Sequence, residues 1–208
     1  MALHPSSLID CVIFDLFGVV VAFDDNLVYD RISQRCTEPN SAIAAMHDLV
    51  SDPNLIRGRT SLQQLHTRLV SEAGLTASFQ EFERIWSASY SEAMPGVRDL
   101  LLQLAGQCRL VLLSNVDPYY WPTVHASVPE LTTFHAKVLS FELGAAKPDA
   151  QAFKRAVAVS EVPIERCYFV DDKPENIAAG ASLGIAGHLF QNCRMLKVAL
   201  RQVGLRVE

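Results

Sequence analysis

Residues 11–19 read Cys11-Val12-Ile13-Phe14-Asp15-Leu16-Phe17-Gly18-Val19, an apolar run that ends on an acid, and residues 168–172 repeat the pattern as Tyr168-Phe169-Val170-Asp171-Asp172. Successive apolar residues without alternation suit a strand buried on both faces, as in a parallel sheet. An acid at the end of such a strand is costly unless its charge is used. Two strands of this kind would bring three carboxylates to one sheet edge. There they make an oxygen-ligand set for Mg2+ and leave one carboxylate as a nucleophile, which points to phosphoryl chemistry.

Working outward, further strand-length runs occur at 110–113, at 138–139 and near 188–190. Between them the apolar residues follow helical spacing: Val97, Leu100, Leu101 and Leu104 before Gly106, Phe153 and Val157 after Pro148, and Ile177, Ala181 and Leu183 before Gly184. Strands alternating with helices from about Gly96 onward predict an α/β fold, a doubly wound and mostly parallel sheet in three layers. The stretch between about Asp24 and Tyr90 differs. It shows helical spacing at Ile43, Met46, Leu49 and Val50, then Leu62, Leu65 and Leu69, then Phe79, Phe82, Ile85 and Trp86, with no strand run. The expected organisation is a core over residues 1–22 and 91–208 and an all-helical cap over 23–90, a lid able to exclude water and choose substrates.

A chain of 208 residues with 50% hydrophobic content can bury a full core. Its net charge of −5 argues against nucleic acid or an anionic membrane as the main partner. The apolar run through Val21 is interrupted by Asp15 and Gly18 before it could span a bilayer, and the N-terminus lacks the pattern of a secretory signal. Five cysteines without a C-x-x-C pair support neither a zinc site nor a disulfide framework, so Cys11, Cys108 and Cys167 read as small buried hydrophobes and the expected compartment is the cytoplasm. The six histidines are scattered without metal-ligand spacing. Gly180-Ala181-Ser182-Leu183-Gly184 matches the nucleophile-elbow pattern of hydrolases, but its serine falls late in a helical stretch where that elbow needs a preceding strand. Arg57 and Arg59 could meet a polar end of a substrate, although a solvated turn between helices explains them as well. Tyr119-Tyr120-Trp121 could stack a sugar or simply pack.

The motifs together resemble the haloacid dehalogenase-like (HAD) superfamily. Phe14-Asp15-Leu16-Phe17-Gly18-Val19 is similar to its first motif, Ser114-Asn115 to its second, Lys147-Pro148 to its third, and Val170-Asp171-Asp172-Lys173-Pro174-Glu175-Asn176 to its fourth. The helical insert resembles a type-one cap. The combination of Ser-Asn, Trp121-Pro122, Gly144-x-x-Lys147-Pro148 and Asp-Asp-x-x-x-Asn looks most similar to the bacterial alpha-glucose-1-phosphate phosphatase group. The resemblance implies that Asp15 attacks phosphorus to form an aspartyl-phosphate. It implies a Mg2+ ion held by Asp15, the Phe17 main-chain carbonyl and Asp171 or Asp172, and phosphate oxygens held by Ser114, Asn115 and Lys147. Asn115 and Asn176 are also candidate positioning groups. The expected partner is a small phosphorylated metabolite, bound by a monomer or homodimer.

One position departs from the pattern. Most phosphatases of the superfamily carry a second aspartate two residues after the nucleophile, and this chain has Phe17 there. That removes a general acid worth roughly 10²- to 10⁴-fold in rate. Three readings follow: a phosphatase whose leaving group needs little protonation, such as a sugar 1-phosphate or an acyl phosphate; a haloacid dehalogenase acting on a 2-haloacid, since those enzymes have an aromatic residue here; or a non-catalytic phosphate- or partner-binding protein. Retention of both Asp171 and Asp172 counts against the dehalogenase, and retention of nucleophile, lysine and metal acids counts against the binding protein.

Overall fold

Alternate residues of the central strands enter two different apolar layers, and this decides the architecture. Val12, Phe14, Leu110, Leu112, Tyr168 and Val170 belong to one buried cluster, whereas Cys11, Ile13, Val111, Leu113, Cys167 and Phe169 belong to another. Side chains point to opposite faces along a strand, so both faces of the sheet are covered and the apolar runs need not alternate.

The computed structural model describes residues 8–51, 53–88 and 92–208. The chain runs β1 (Cys11–Phe14), β2 (Val21–Ala22), α1 (Asp25–Ser33), α2 (Pro39–Ser51), α3 (Pro53–Ile56), α4 (Leu62–Ala73), α5 (Phe79–Ser87) and β3 (Glu92–Ala93). It continues through α6 (Val97–Ala105), β4 (Arg109–Ser114), α7 (Trp121–Ser127), β5 (Ala136–Leu139), α8 (Ser140–Leu143) and α9 (Ala150–Ser160). It closes with β6 (Cys167–Asp171), α10 (Pro174–Ser182), β7 (Ala186–Leu189) and α11 (Cys193–Gln202). The main sheet has the order β5-β4-β1-β6-β7 and is parallel throughout. The expected α/β fold is therefore present. β1 sits at its centre between β4 and β6, so residues that follow these three strands meet at one edge. No helix among the described residues is long and apolar enough to cross a membrane.

On one face α6 and α11 deliver Val97, Leu100, Leu101, Leu104, Leu196 and Leu200; on the other α9 delivers Ala152, Phe153 and Ala156. The expected apolar stripe of α10 is present in part: Ile177 and Leu183 are half-buried against the second apolar layer and Ala181 is exposed, while the fully buried residues are Asn176 and Gly180, the latter facing Phe169 and Phe153. The last strand also differs from expectation. In β7 Ala186, Gly187 and Leu189 are exposed, as suits the edge of the sheet.

Helices α1–α5 enclose their own apolar cluster, built from Val28, Ile32, Met46, Leu62, Leu65, Leu69, Phe82 and Trp86 among others. The spacing read from Leu62, Leu65 and Leu69 is buried as expected, and Ser61 with Gln64 closes a capping box at the start of α4. The Leu49 and Val50 side chains, residues 89–91 at the expected cap boundary, and residues 1–7 with His4 lie outside the described residues. The two connections to this helical group are tied together by a short antiparallel pair, Val21 with Ala93 and Ala22 with Glu92, which was not expected from the sequence.

Phe153 and Phe169 meet edge to face at 5.2 Å between ring centroids, and both are essentially fully buried. Phe153→Ala should therefore cost about 3–5 kcal/mol. Urea unfolding checks it: the midpoint should fall with the slope unchanged, and a loss under about 1 kcal/mol would mean the site collapses around the deletion.

Candidate active site

The parallel ladder carries Asp15 just past the end of β1, where its N–H donates to the Val170 carbonyl at 2.9 Å. The residue is 6% exposed. Its Oδ1 accepts from the Leu16 N–H at 2.6 Å and lies 2.6 Å from Lys147 Nζ. The chain then turns sharply, with the Leu16 carbonyl accepting from Val20 and Val21 and with Gly18 at a φ of 79°. A side chain at Gly18 would overlap the Asp172 carboxylate, so glycine lets this turn lie against the acids that follow β6.

Asp171 is the last residue of β6 and is fully buried. It accepts from Lys147 Nζ at 2.7 Å, from the Lys173 N–H at 2.8 Å and from Asn176 Nδ2 at 3.0 and 3.1 Å. The positioning role expected of Asn176 thus has a partner. Asp172 is half-buried, and its Oδ1 is buried with no hydrogen-bond partner among the described residues. Ligand atoms of Asp15, Asp171 and Asp172 all lie within 4.8 Å of one another.

Lys147 reaches this cluster from the segment between α8 and α9 and is 5% exposed. Its position is fixed through its main chain: Asn115 Nδ2 donates to the Lys147 carbonyl and the Lys147 N–H donates to Asn115 Oδ1, both at 2.9 Å. The Lys147–Pro148 peptide is cis. Asn115, expected as a substrate contact, uses its amide for this clamp. Ser114, the last residue of β4, is fully buried, and its Oγ has no hydrogen-bond partner among the described residues. A buried hydroxyl without a partner is rare unless a ligand or ion completes it.

One ammonium thus faces three carboxylates, and the imbalance shows in their protonation. Burial pushes the Asp15 carboxyl up to about 7; Asp171 adds to the effect, while Lys147 and the Leu16 N–H oppose it. Burial works against the Lys147 ammonium, but the two aspartates outweigh it and raise its pKa. Asp172 is also raised, by burial and then by Asp171. Excess negative charge, clustered oxygens and an orphaned Asp172 oxygen fit a hard divalent cation, which takes carboxylate and carbonyl ligands.

Phe17 lies beside the cluster, with its ring against Phe23 at 4.7 Å and stacked on Tyr120 at 5.7 Å and 22°. These rings line a cavity of about 250 Å³ between the core and α1, α3 and α5, together with Trp86, Asp117 and Lys173. Of the aromatic trio after β4, Tyr120 enters this lining, while Trp121 packs on His125 at 5.3 Å. Asp117 was not singled out in the sequence, although an acid three residues past a strand end, followed by aromatic residues, carried a signal. The solvated-turn account of Arg57 needs correction. Arg57 pairs with Asp149 at 2.6 Å and Arg59 Nη2 donates to the Gly144 carbonyl at 3.2 Å, so the turn after α3 grips the segment that carries Lys147. Ser182 is the last residue of α10 and donates to the Ala179 carbonyl, far from an elbow geometry.

The family model for haloacid dehalogenase-like hydrolases matches residues 9–184. A D-ribitol-5-phosphate phosphatase of Bacteroides thetaiotaomicron is 27% identical over 184 residues, covering 85% of this chain and 89% of that protein. Among solved structures, a HAD-family enzyme of Bacteroides thetaiotaomicron in complex with magnesium and inorganic phosphate superposes with a TM-score of 0.74 at 20% identity, over 89% of this chain and 96% of that one. L-2-haloacid dehalogenase of Xanthobacter autotrophicus with covalently bound chloropropionic acid gives a TM-score of 0.63 at 16% identity, over 96% and 85% of the two chains. These structures share the fold.

The raised Asp15 pKa predicts how the metal-free protein responds to pH. Between the ordinary value of 3.8 and about 7 the folded form binds more protons at this site than the unfolded chain does. Its contribution to stability is therefore complete below the lower value and is lost as pH rises through the upper one. Asp15→Asn removes that dependence. Melting temperatures in chelator should show the wild type losing stability relative to the variant across this window; parallel curves would contradict the assignment.

Proposed function

The chain belongs to the haloacid dehalogenase-like hydrolases, and from that premise we propose that it is a Mg2+-dependent phosphatase acting on a small phosphorylated metabolite through an aspartyl-phosphate. The observation that carries this reading is the group of buried Asp15, Asp171 and Lys147 with half-buried Asp172, beside the unpartnered Ser114 hydroxyl. Similarity to a ribitol-5-phosphate phosphatase and to a fold neighbour holding magnesium and phosphate supports it. Asp15, the Phe17 carbonyl, Asp171 and Asp172 are the proposed metal ligands. Bound Mg2+ screens the repulsion between these carboxylates and a phosphate dianion.

In the proposed reaction Asp15 attacks phosphorus, an Asp15 O–P bond forms and the ester P–O bond breaks. Lys147 and the Leu16 N–H both bind Oδ1 and so fix the plane of the carboxylate, which orients Oδ2 for attack. Ser114 Oγ and Lys147 Nζ stabilise the equatorial oxygens. Water then attacks the phosphoenzyme, releasing inorganic phosphate and restoring the carboxylate. Asn115 acts on Lys147 and Asn176 on Asp171, each as a positioning residue. Residues 23–90 serve as the cap over a core of 1–22 and 91–208, a division supported by the separate apolar cluster of α1–α5.

The organic part of the substrate lies towards the aromatic cavity. Phe17 cannot protonate a leaving oxygen, which favours leaving groups that need little help, such as a sugar 1-phosphate, the substrate of the alpha-glucose-1-phosphate phosphatase group, or an acyl phosphate. The same aromatic residue, with the shared fold of the Xanthobacter autotrophicus enzyme, motivates a second reading as a haloacid dehalogenase. That reaction gives the three clustered acids no metal to hold.

Turnover of sugar and acyl phosphates should require Mg2+ and vanish in excess chelator, and Asp15→Asn should retain the fold with less than a few per cent of activity. Turnover of a 2-haloacid that is indifferent to chelator would favour the second reading instead. A separate expectation concerns Phe17→Asp. If protonation is the missing step, this variant should raise rates on poor alkoxide leaving groups more than on acyl or aryl phosphates, by up to roughly 10²-fold. A uniform change across leaving groups, with metal binding and melting temperature intact, would refute that account.

A further inference from the structure

The cavity beside the carboxylate cluster contains an acid that the proposed phosphoryl chemistry leaves unused. Asp117 is 8% exposed, and its Oδ1 accepts from the Tyr119 N–H at 2.8 Å and the Tyr120 N–H at 2.9 Å. These two bonds fix the carboxylate on a backbone turn at the start of α7. Its other oxygen meets Trp86 Nε1, contributed by α5, at 3.4 Å. That bond is long, and a carboxylate has about four acceptor sites, so Oδ2 retains capacity for a donor from a ligand. Burial raises the Asp117 pKa while the three N–H donors oppose it, as expected for an acid placed at real cost inside an apolar cavity.

The surroundings narrow the donor. Phe17, Phe23, Trp86 and Tyr120 present aromatic surface to the same space. Such rings accept the C–H face of a carbon chain or ring, and Asp117 is placed to accept a hydroxyl hydrogen. An ammonium would also suit an acid among aromatic rings, but Lys173 shares the lining and opposes a second cation. A cavity of about 250 Å³ falls below the roughly 300–1,000 Å³ of drug-sized sites and so suits a small metabolite. An acyl phosphate such as acetyl phosphate has no hydroxyl for Asp117 to bind.

We propose that Asp117 is a specificity-determining residue that accepts a hydrogen bond from a hydroxyl of the substrate's organic part. The site then selects a phosphorylated polyhydroxylated chain or ring over acyl phosphates and amino-alcohol phosphates. The inference rests on the phosphatase reading above and assigns its substrate class.

The test uses the full chain with Mg2+ and four substrates: ribitol 5-phosphate, α-glucose 1-phosphate, acetyl phosphate and phosphoethanolamine. The wild type should prefer at least one polyhydroxylated substrate over the other two classes by about tenfold or more in kcat/KM, the scale of a hydrogen bond to a charged group. Asp117→Asn keeps an oxygen for the two backbone donors but removes the charge, and it should reduce that preference about tenfold, mainly through KM. Asp117→Glu keeps the charge and moves it by one methylene; it should also lower the preference, and it carries the test if the Asn variant melts early. Preference unchanged in a folded variant, or wild-type preference for phosphoethanolamine or acetyl phosphate, would overturn the inference alone. A wild type that hydrolyses none of the four overturns the phosphatase reading beneath it.

Discussion

The Lys147 ammonium buried between Asp15 and Asp171 is the interaction on which the rest of the edge depends. A buried charge is tolerated only when paired and hydrogen-bonded, and here Nζ lies 2.6 Å and 2.7 Å from two carboxylates that end adjacent strands. The sheet order makes this possible: β1 lies between β4 and β6, so Asp15, Ser114 and Asp171 emerge side by side. Supporting bonds hold each member. Asn115 brackets both main-chain groups of Lys147, and Asn176 with the Lys173 N–H holds Asp171. A buried pair of this kind is weak evidence for stability, because the cost of taking both charges out of water can match or exceed their mutual attraction. Its worth lies in a fixed geometry with surplus negative charge.

The helical insert bears on that geometry from two directions. Its α5 presents Trp86 to Asp117, and the turn after α3 ties Arg57 to Asp149, two residues from Lys147. The insert joins the core through the short β2–β3 pair, which follows directly from the Leu16–Val21 turn. The insert therefore touches both the turn after Asp15 and the Lys147 segment. Arg57 and Asp149 are partly exposed, so their pair holds through geometry more than through strength, at about 0–1 kcal/mol for ion pairs in water.

The parts of this fold that were legible in the sequence are those with a strong periodic cause. Runs such as Val12-Ile13-Phe14 and Tyr168-Phe169-Val170 are continuous because both sheet faces are covered, and each ends at the acid that matters. The spacing of Leu62, Leu65 and Leu69 likewise reflects a single buried face. What escaped had weaker or non-local causes. β2 and β3 are two residues each and exist through pairing across the insert. The face of α10 was legible only through Ile177 and Leu183, because its fully buried residues are Asn176, which reaches Asp171, and Gly180 beside two rings, neither of which is a large apolar residue. α11 was missed although Cys193, Leu196 and Leu200 carry its spacing. Arg57 looked solvated because its partner lies 92 residues away, a contact only the fold creates.

Phe17 shows how one residue can serve two surfaces. Its main chain belongs to the turn that Gly18 folds against Asp172, and the carbonyl proposed as a metal ligand is part of that turn whatever side chain is attached. Its ring stacks on Tyr120 and packs at a tilt against Phe23 in the cavity lining. An aspartate here would keep the first role and replace the second, removing an aromatic contact worth about 0.5–1.5 kcal/mol and adding a fourth acid beside a cluster that already outnumbers its one lysine. On the proposed function, the protonation that Phe17 cannot supply and the aromatic surface its ring does supply are two consequences of a single residue. A site of that kind trades breadth of leaving group for a cavity wall able to contact the rest of the substrate.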